Sequence, residues 1–246
     1  MNSSAKPSLR LSRHLLPSLV LLTGGILTAP QSAKAVDRYW ANTSPNFNSP
    51  ASWITTLPGA NDRGIFSAPL INPVLNAPIT VSGLTFFAPG YIVSGLEPLT
   101  LGSGTTNNDL GAALTAMAAG LTTISAPLVL GTTPTGTTGF AALLGSELVV
   151  SGSLSGSRVL QKVGYGTVTI SGDNTGFTGG LNANGGNGNF GVTRVNINSD
   201  TALGTGALTV GQGNGGSTIG NTSGSARTLA NAVNIGAGTG VTSIFD

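Results

Sequence analysis

The sequence predicts an all-β solenoid, in which short strands and tight turns stack into a rod. Residues 162–180 read as a short strand between glycine turns, followed by an Asn/Gly/Thr loop, and this pattern recurs in looser form from residue 79 to the end. Small, β-branched and turn-forming residues dominate that region, and they suit stacked strands with sharp corners. Because 39% of the residues are hydrophobic and only 7% are charged, the composition indicates a packed core rather than disorder. Chains built from such units are scaffolds more often than compact enzymes.

A β-sandwich is the alternative all-β fold. It requires strands at a regular spacing of about 8–12 residues and a core richer in aromatic residues. Aromatic residues make up only 5% of this chain and its loops are uneven in length, so the solenoid is favoured. With coils of roughly 20–25 residues, residues 79–246 are expected to form about six to eight coils. At about 4.8 Å per stacked strand, the rod is expected to be ~30–40 Å long.

Residues 1–35 are interpreted as a signal peptide. Leu15–Ala29 is an apolar run of signal length, and Ala33–Ala35 provides a small-x-small site with an expected cut after Ala35. The basic residues in front of the run are Lys6, Arg10 and Arg13. An uncleaved membrane anchor is the alternative, but the run is short for a membrane span and is interrupted by proline and glycine. No later stretch is expected to cross a membrane as a helix.

Removal of residues 1–35 changes the charge of the chain. Four of the ten Lys and Arg residues lie in that segment, whereas all eight Asp and Glu residues follow it. The remaining chain therefore carries more acidic than basic residues and lacks a basic patch. This composition argues against nucleic acid as a partner.

Histidine and cysteine are missing from the chain after the predicted cleavage site. The one histidine, His14, lies in the signal segment, and there is no cysteine. Without either residue, Ser-His-Asp and Cys-His nucleophilic sites and the usual zinc sites are excluded. We therefore expect no enzymatic activity, no catalytic residues, no cofactor and no metal site.

Residues 36–78 differ from the rest of the chain and are predicted to be an N-terminal cap module. Both tryptophans, Trp40 and Trp53, lie here among six prolines. The first coil of a solenoid needs a cap for its apolar end, and we expect Trp40, Trp53, Ile65 and Phe66 to fill it. The alternative is that the two tryptophans form an aromatic platform for sugar binding.

Residues 79–246 are predicted to form the β-helical region. The predicted strands are Ile79–Phe87, Tyr91–Ser94, Leu99–Leu101, Leu121–Leu130, Glu147–Leu154, Arg158–Val163, Thr167–Ser171, Val192–Asn198, Ala207–Val210, Thr228–Ile235 and Val241–Phe245. Turn clusters are predicted at Gly102–Asn108, Gly131–Gly139 and Gly211–Gly216. Leu110–Ala119 is apolar nearly throughout and reads either as a helix or as a strand followed by a turn.

Three charged residues form the strongest candidate for chemistry. Asp173, Arg194 and Asp200 lie within about one coil of each other, and β-helical polysaccharide lyases and hydrolases use Asp with Arg or Lys on one face. The simpler interpretation is that both aspartates are turn residues. Lys162, the one lysine after residue 35, suggests an isopeptide cross-link, but its position inside the strand-and-turn unit favours a structural role.

The segment Leu160–Gly180, LQKVGYGTVTISGDNTGFTGG, resembles the autotransporter-associated β-strand repeat. The matching positions are Lys162, Gly164, Gly166, Thr167, Thr169, Ser171, Gly172, Asn174, Thr175, Thr178, Gly179 and Gly180. One clear repeat is present, over residues 158–180. Thr201–Val210 is similar to the segment that usually follows the repeat, and Tyr39–Phe66 is similar to the N-terminal module of such proteins.

The resemblance implies a right-handed parallel β-helix exported by a Gram-negative bacterium and displayed at the cell surface or released. Glycines would permit its corners, Thr, Leu and Ile would stack inward, and asparagines would form side-chain ladders between coils. It implies no catalytic residues. Members of this family usually carry several repeats and a C-terminal outer-membrane segment, so the chain is expected to be a truncated product or part of a longer protein.

The leading functional hypothesis is a secreted or surface-displayed, non-enzymatic protein with a structural or adhesive role. Its expected partners are surface glycans or other cell-surface components. The alternatives are a carbohydrate-active β-helix that uses Asp173 or Asp200 and a carbohydrate-binding module that uses Trp40 and Trp53.

Overall fold

The computed structural model describes residues 36–67, 70–102, 112–131, 136–183, 193–211, 216–236 and 243–246. The predicted signal peptide and most of the turn clusters at 102–108 and 211–216 lie outside these residues. In chain order the strands are β1 (Asp37–Tyr39), β2 (Arg63–Phe66), β3 (Val74–Leu75), β4 (Ile79–Val81), β5 (Gly83–Phe86), β6 (Ile92–Gly95), β7 (Leu99–Leu101), β8 (Leu114–Ala116), β9 (Gly120–Ile124), β10 (Leu128–Leu130), β11 (Thr137–Ala142), β12 (Ser146–Val150), β13 (Leu154–Gly156), β14 (Val159–Val163), β15 (Thr167–Ile170), β16 (Leu181–Asn182), β17 (Thr193–Ile197), β18 (Leu208–Val210), β19 (Ser217–Gly220), β20 (Val233–Ile235) and β21 (Ser243–Phe245). A 3-10 helix spans Pro50–Ser52.

The strands form three sheets that wind along the same axis. Sheet 1 has the order β1-β2-β5-β8-β11-β14-β16-β18-β20, sheet 2 the order β3-β6-β9-β12-β15-β17-β19-β21, and sheet 3 the order β4-β7-β10-β13. All named strand pairs are parallel, for example β12 with β9 and with β15. This is the arrangement of a right-handed parallel β-helix, since crossovers between parallel strands are right-handed in nearly all proteins. The predicted fold class is confirmed. The β-sandwich alternative is wrong, because sandwich sheets are antiparallel.

Equivalent apolar residues stack on one another from coil to coil. In sheet 1, Leu84 pairs with Leu114, and Leu181 pairs with both Leu160 and Leu208. These leucines are all buried. Coil length varies, because the partner of Leu84 lies 20 residues before it at Gly64 and 30 residues after it at Leu114. Strands β5, β8, β11, β14, β16, β18 and β20 of sheet 1 follow residue 79, in agreement with the expected six to eight coils.

Side chains alternate between the interior and the outer face along each strand. In β17, Thr193, Val195 and Ile197 are buried in the core, and Arg194 on the outer face is half-buried. This alternation follows the period of two of a strand and agrees with the prediction for this segment. Asn196 also belongs to the outer face but is buried, because neighbouring polar side chains cover it.

Three predicted strands are each divided by a corner. Ile79–Phe87 is β4 and β5, Leu121–Leu130 is β9 and β10, and Glu147–Leu154 is β12 and β13. The apolar pattern runs through each bend, since residues on both sides of a corner face the same interior. At the first corner, the backbone N–H and the hydroxyl of Ser82 both donate to the carbonyl of Asp62. A hydroxyl can therefore replace the backbone ladder at a bend.

Two further sequence predictions differ from the structure. The turn cluster predicted at Gly131–Gly139 includes the start of β11, and the helix considered for Leu110–Ala119 is wrong where the structure describes it, because β8 occupies Leu114–Ala116. Both segments pair with neighbouring coils, Phe140 with Leu114 for example. Stacking between coils therefore overrides the local preference for turn or helix. Strands β16 and β19 were also not predicted.

The N-terminal segment contains a buried aromatic cluster formed by Trp40, Phe47, Trp53, Phe66, Phe86 and Tyr91. The rings of Trp40 and Trp53 lie edge to face at 5.2 Å, and those of Phe66 and Phe86 stack at 4.8 Å. Ile65 is buried as well, so all four residues expected to fill this segment lie in the interior. β2 pairs with β5 across the predicted domain boundary at residues 78 and 79. Among the described residues, no helix is long and apolar enough to span a membrane.

Candidate functional site

The three residues considered for carboxylate chemistry have separate environments. Arg194 Nη2 lies 3.0 Å from Asp246 Oδ2. Asp200 accepts a hydrogen bond from the backbone N–H of Thr228 at 3.0 Å, and Asp173 is exposed in a turn. No contact joins the three, and the described residues contain no group of three His, Cys, Asp or Glu side chains suited to a metal ion. The geometry matches the simpler interpretation of Asp173 and Asp200 as turn residues.

The two tryptophans have no ring face open to a ligand. Trp40 and Trp53 are 2% and 3% exposed. The indole N–H of Trp40 donates to the carbonyl of Ile71 at 3.0 Å, and that of Trp53 donates to the carbonyl of Phe47 at 2.9 Å. A sugar ring needs an accessible aromatic face, so these residues pack the core rather than form a platform.

Lys162 points into the interior of the β-helix from β14. It is 1% exposed, and its Nζ donates to the carbonyls of Val163 and Gly164 at 2.8 and 2.7 Å. Burial lowers the pKa of this amine to about 7, because the charged form loses its hydration. The side chain thus caps the corner between β14 and β15 from inside. This contact agrees with a structural role for Lys162.

Replacing Lys162 with methionine is expected to change how stability depends on pH. The folded-state pKa, about 7, lies below the ordinary lysine value of about 10.4 in an unfolded chain. The penalty for burying the charged amine is therefore fully present below pH 7 and disappears as the pH rises toward 10. Between pH 7 and pH 9, the wild type should gain about 2 kcal/mol of stability over Lys162→Met, measured by urea unfolding at each pH.

The loss of two hydrogen bonds in Lys162→Met shifts its stability by a constant amount at every pH, so the pH-dependent difference isolates the amine. Arg227→Met, a change at an exposed cation, is the control and should keep the slope of the wild type. Parallel stability curves for the wild type and Lys162→Met would contradict the prediction.

An open groove of about 490 Å³ lies at one corner of three successive coils. We call it the corner groove and define it by the side chains of Leu121, Leu144, Glu147, Tyr165 and Thr167. Leu121, Glu147 and Thr167 are direct neighbours on the outer face of β9, β12 and β15, spaced at about 4.8 Å. Leu144 and Tyr165 project from the turns that precede β12 and β15. The corner groove therefore combines two aliphatic side chains, one aromatic ring, a carboxylate and a hydroxyl.

Glycines keep the floor of the corner groove free of side chains. Gly145 has a φ of +81°, which strongly favours glycine. At Gly166 a Cβ atom would lie 2.1 Å from the carbonyl oxygen of Leu143, so the coils approach too closely for any side chain. Leu144 and Tyr165 each adjoin one of these glycines and remain 80% and 38% exposed. The turns that bring the coils together thus also expose the apolar walls.

A hydrogen-bonded chain of polar side chains extends from the corner groove across the outer face of sheet 2. The hydroxyl of Thr169 donates to Glu147 Oε1 at 2.5 Å, and Nδ2 of Asn196 donates to that hydroxyl at 3.1 Å. Arg194 Nε donates to Asn196 Oδ1 at 2.9 Å and also pairs with Asp246. Within the described residues, the second carboxylate oxygen of Glu147 has no hydrogen-bond partner.

The described surface carries unpaired acidic groups and no unpaired basic ones. Four arginines lie in ion pairs: Arg38 with Asp62, Arg63 with Asp37, Arg194 with Asp246 and Arg227 with Asp200. Arg158 and Lys162, the other two basic residues after residue 35, are buried. Glu97, Glu147 and Asp173 have no ion-pair partner in the described part of the chain. An anionic ligand therefore meets no free positive charge on this surface.

The sequence analysis did not identify the corner groove. Leu144 and Tyr165 each stand beside a glycine just before a strand, and an apolar residue at the tip of a glycine turn is a usable signal of exposure. The signal becomes a site only when the coils are placed in register. Coil lengths of 20 to 30 residues in this region prevent that register from being read from a fixed period.

Comparisons with known proteins link this chain to an adhesin. The adhesin BmaC autotransporter of Brucella suis biovar 1 (strain 1330) is 30% identical over 196 residues, which cover 72% of this chain and 4% of that protein. The chain thus spans a small part of the length of this curated relative. No family model matches the chain, and no solved structure matches it significantly.

The similarity supports the relation to autotransporter proteins that was expected from residues 160–180. It does not extend to the repeat type, since no family model matches. A β-helix with distant similarity to an autotransporter adhesin is compatible with an adhesin-like role at the cell surface.

Proposed function

We propose that this chain is a non-enzymatic β-helical segment of an adhesin of the autotransporter kind, exported and presented at the surface of a Gram-negative bacterium. The observation that carries the proposal is the similarity over 72% of the chain to an autotransporter adhesin, in a chain whose sheets are all parallel. In this role the β-helix is a rigid rod that presents its outer faces to a partner. Rods of this type bind through extended surfaces built by neighbouring coils.

The arrangement of charged residues supports a binding role over a catalytic one. Arg194 and Asp200, the best candidates for acid–base chemistry, pair with Asp246 and Arg227. Asp173 has no basic group beside it in the described structure. Catalysis would require a positioned acid or base near a substrate pocket, and the ion pairs hold these groups apart. Purified protein should therefore leave polysaccharides uncleaved.

An attachment assay tests the adhesive role. In the native bacterium, an in-frame deletion of residues 36–246 is expected to reduce attachment to host cells or to a glycan-coated surface, and restoring the gene should restore attachment. Latex beads coated with the purified protein should attach where beads coated with albumin do not. Unchanged attachment of the deletion strain together with inert coated beads would overturn the proposal.

The export pathway has its own test. If residues 1–35 direct secretion, the N-terminal residue of the protein recovered from the cell envelope or the medium is Val36, as read by N-terminal sequencing. Cells treated with protease from outside should lose the protein if it is displayed at the surface. An intact, protected protein that begins at Met1 would contradict the export part of the proposal.

A further inference from the structure

We propose that the corner groove binds an uncharged pyranose unit of a surface glycan. This inference rests on the proposed adhesive function and assigns its contact site. The groove volume of about 490 Å³ lies within the range of small-ligand sites and admits one or two sugar rings.

The side chains of the corner groove match the two chemical characters of a pyranose. A sugar ring has an apolar face of C–H groups and a rim of hydroxyls. Tyr165 and Leu144 offer an exposed aromatic ring and an exposed aliphatic side chain for the apolar face. Glu147, one oxygen of which is held by Thr169 at 2.5 Å, accepts hydrogen bonds from ligand hydroxyls through the other oxygen. Hydrogen bonds to a carboxylate are stronger than those between neutral groups.

The charge of the surface selects an uncharged ligand. Glu147 is the one charged side chain that lines the corner groove, and the described surface has no unpaired basic group near it. A sialic acid or a sulfate would meet a carboxylate there without a compensating cation. A neutral sugar has no such cost.

The position of the corner groove in the sheet argues against a peptide strand. β9, β12 and β15 lie in the middle of sheet 2, and each is paired on both sides. Peptides that bind as an added strand need a free sheet edge. The backbone groups of these strands are already used in the ladders between coils, so recognition here depends on side chains and turns.

Saturation-transfer difference NMR with purified protein tests the proposal. The probes are lactose, maltose, cellobiose and chitobiose, with 3′-sialyllactose as the charged counterpart of lactose and hexalysine as a cationic peptide. At least one uncharged disaccharide should bind. Tyr165→Ala and Glu147→Gln should each weaken its binding about tenfold, the loss of one ring contact or one charge-assisted hydrogen bond. Tyr165→Phe should retain binding, and sialylation of lactose should abolish or weaken it.

Matched variants outside the corner groove separate this site from a general loss of structure. Tyr39→Ala removes another partly exposed tyrosine, and Glu97→Gln another unpaired carboxylate, and both should bind like the wild type. The proposal is overturned if none of the four uncharged disaccharides binds, if groove and control variants bind equally, or if only hexalysine binds. Lost attachment of the deletion strain without sugar binding would remove this inference and leave the adhesive function standing. Sugar binding without an attachment defect would do the reverse.

Discussion

Replacing Asn174 with alanine should destabilise the β-helix by about 2–6 kcal/mol, since it leaves two buried backbone groups without partners at about 1–3 kcal/mol each. Asn174 is fully buried. Its Oδ1 accepts from the N–H of Leu154 at 2.6 Å and its Nδ2 donates to the carbonyl of Ala202 at 2.7 Å. The side chain therefore joins the preceding coil to the following one. Chemical unfolding gives the loss in stability, and hydrogen exchange should show it first in the N–H of Leu154.

Two further variants make the test of Asn174 specific. Asn234→Ala removes an exposed asparagine of β20 and should change stability by less than about 0.5 kcal/mol. Asn174→Asp keeps the acceptor but places a carboxylate opposite the carbonyl of Ala202. Its pKa should rise on folding, so this variant should be most stable in acid and should lose stability as the pH rises through the folded-state pKa. Equal stabilities of Asn174→Ala and Asn234→Ala would refute the bridging role.

Trp53→Ala should cost about 3–5 kcal/mol, the usual range for a buried tryptophan replaced by alanine. The Trp53 ring contacts Trp40, Phe47 and Phe66 at centroid distances of 5.2, 5.0 and 5.8 Å. Its N–H also satisfies the carbonyl of Phe47. The variant therefore opens a cavity in the aromatic cluster and leaves one acceptor unpaired. Because each coil contacts only its neighbours, faster hydrogen exchange should be concentrated in β1, β2 and β5.

Control variants of Trp53 separate its ring from its N–H group. Trp53→Phe keeps most of the ring volume and loses the N–H donor, so its loss of stability should be well below that of Trp53→Ala. Tyr39→Ala, at a half-exposed ring on β1, should stay within about 0.5 kcal/mol of the wild type. Uniformly faster exchange along all strands in Trp53→Ala would show that the coils unfold as one unit, against the prediction.

Local pattern was sufficient to predict the fold class and much of the core. Leu99–Leu101 is a strand with the predicted bounds, because its alternating leucines lie between clear turn signals. Trp40, Trp53, Ile65 and Phe66 are buried as expected. Asparagine was expected to bridge coils, and Asn174 does so. In each case, the residue type and its immediate neighbours already determine the environment.

Features that depend on which coil stacks on which could not be predicted. β11 begins inside a segment rich in Thr and Gly that reads as a turn, and only its pairing with β8 and β14 makes it a strand. The corner groove likewise depends on the register of β9, β12 and β15. Lys162 is ambiguous in the sequence, because a lysine next to glycines is usually exposed, whereas here the interior carbonyls of Val163 and Gly164 bind its amine.

The placement of the basic side chains also bears on how the folded protein resists digestion. Trypsin cleaves after lysine and arginine, and it needs several residues around the cut in an extended, accessible form. Arg158 and Lys162 are buried, and Arg38, Arg63 and Arg194 lie in or beside strands that are paired with neighbouring coils. Arg227 lies outside the strands, in an exposed stretch between β19 and β20. A rod of this kind would survive among host proteases with a single weak point near its last coils.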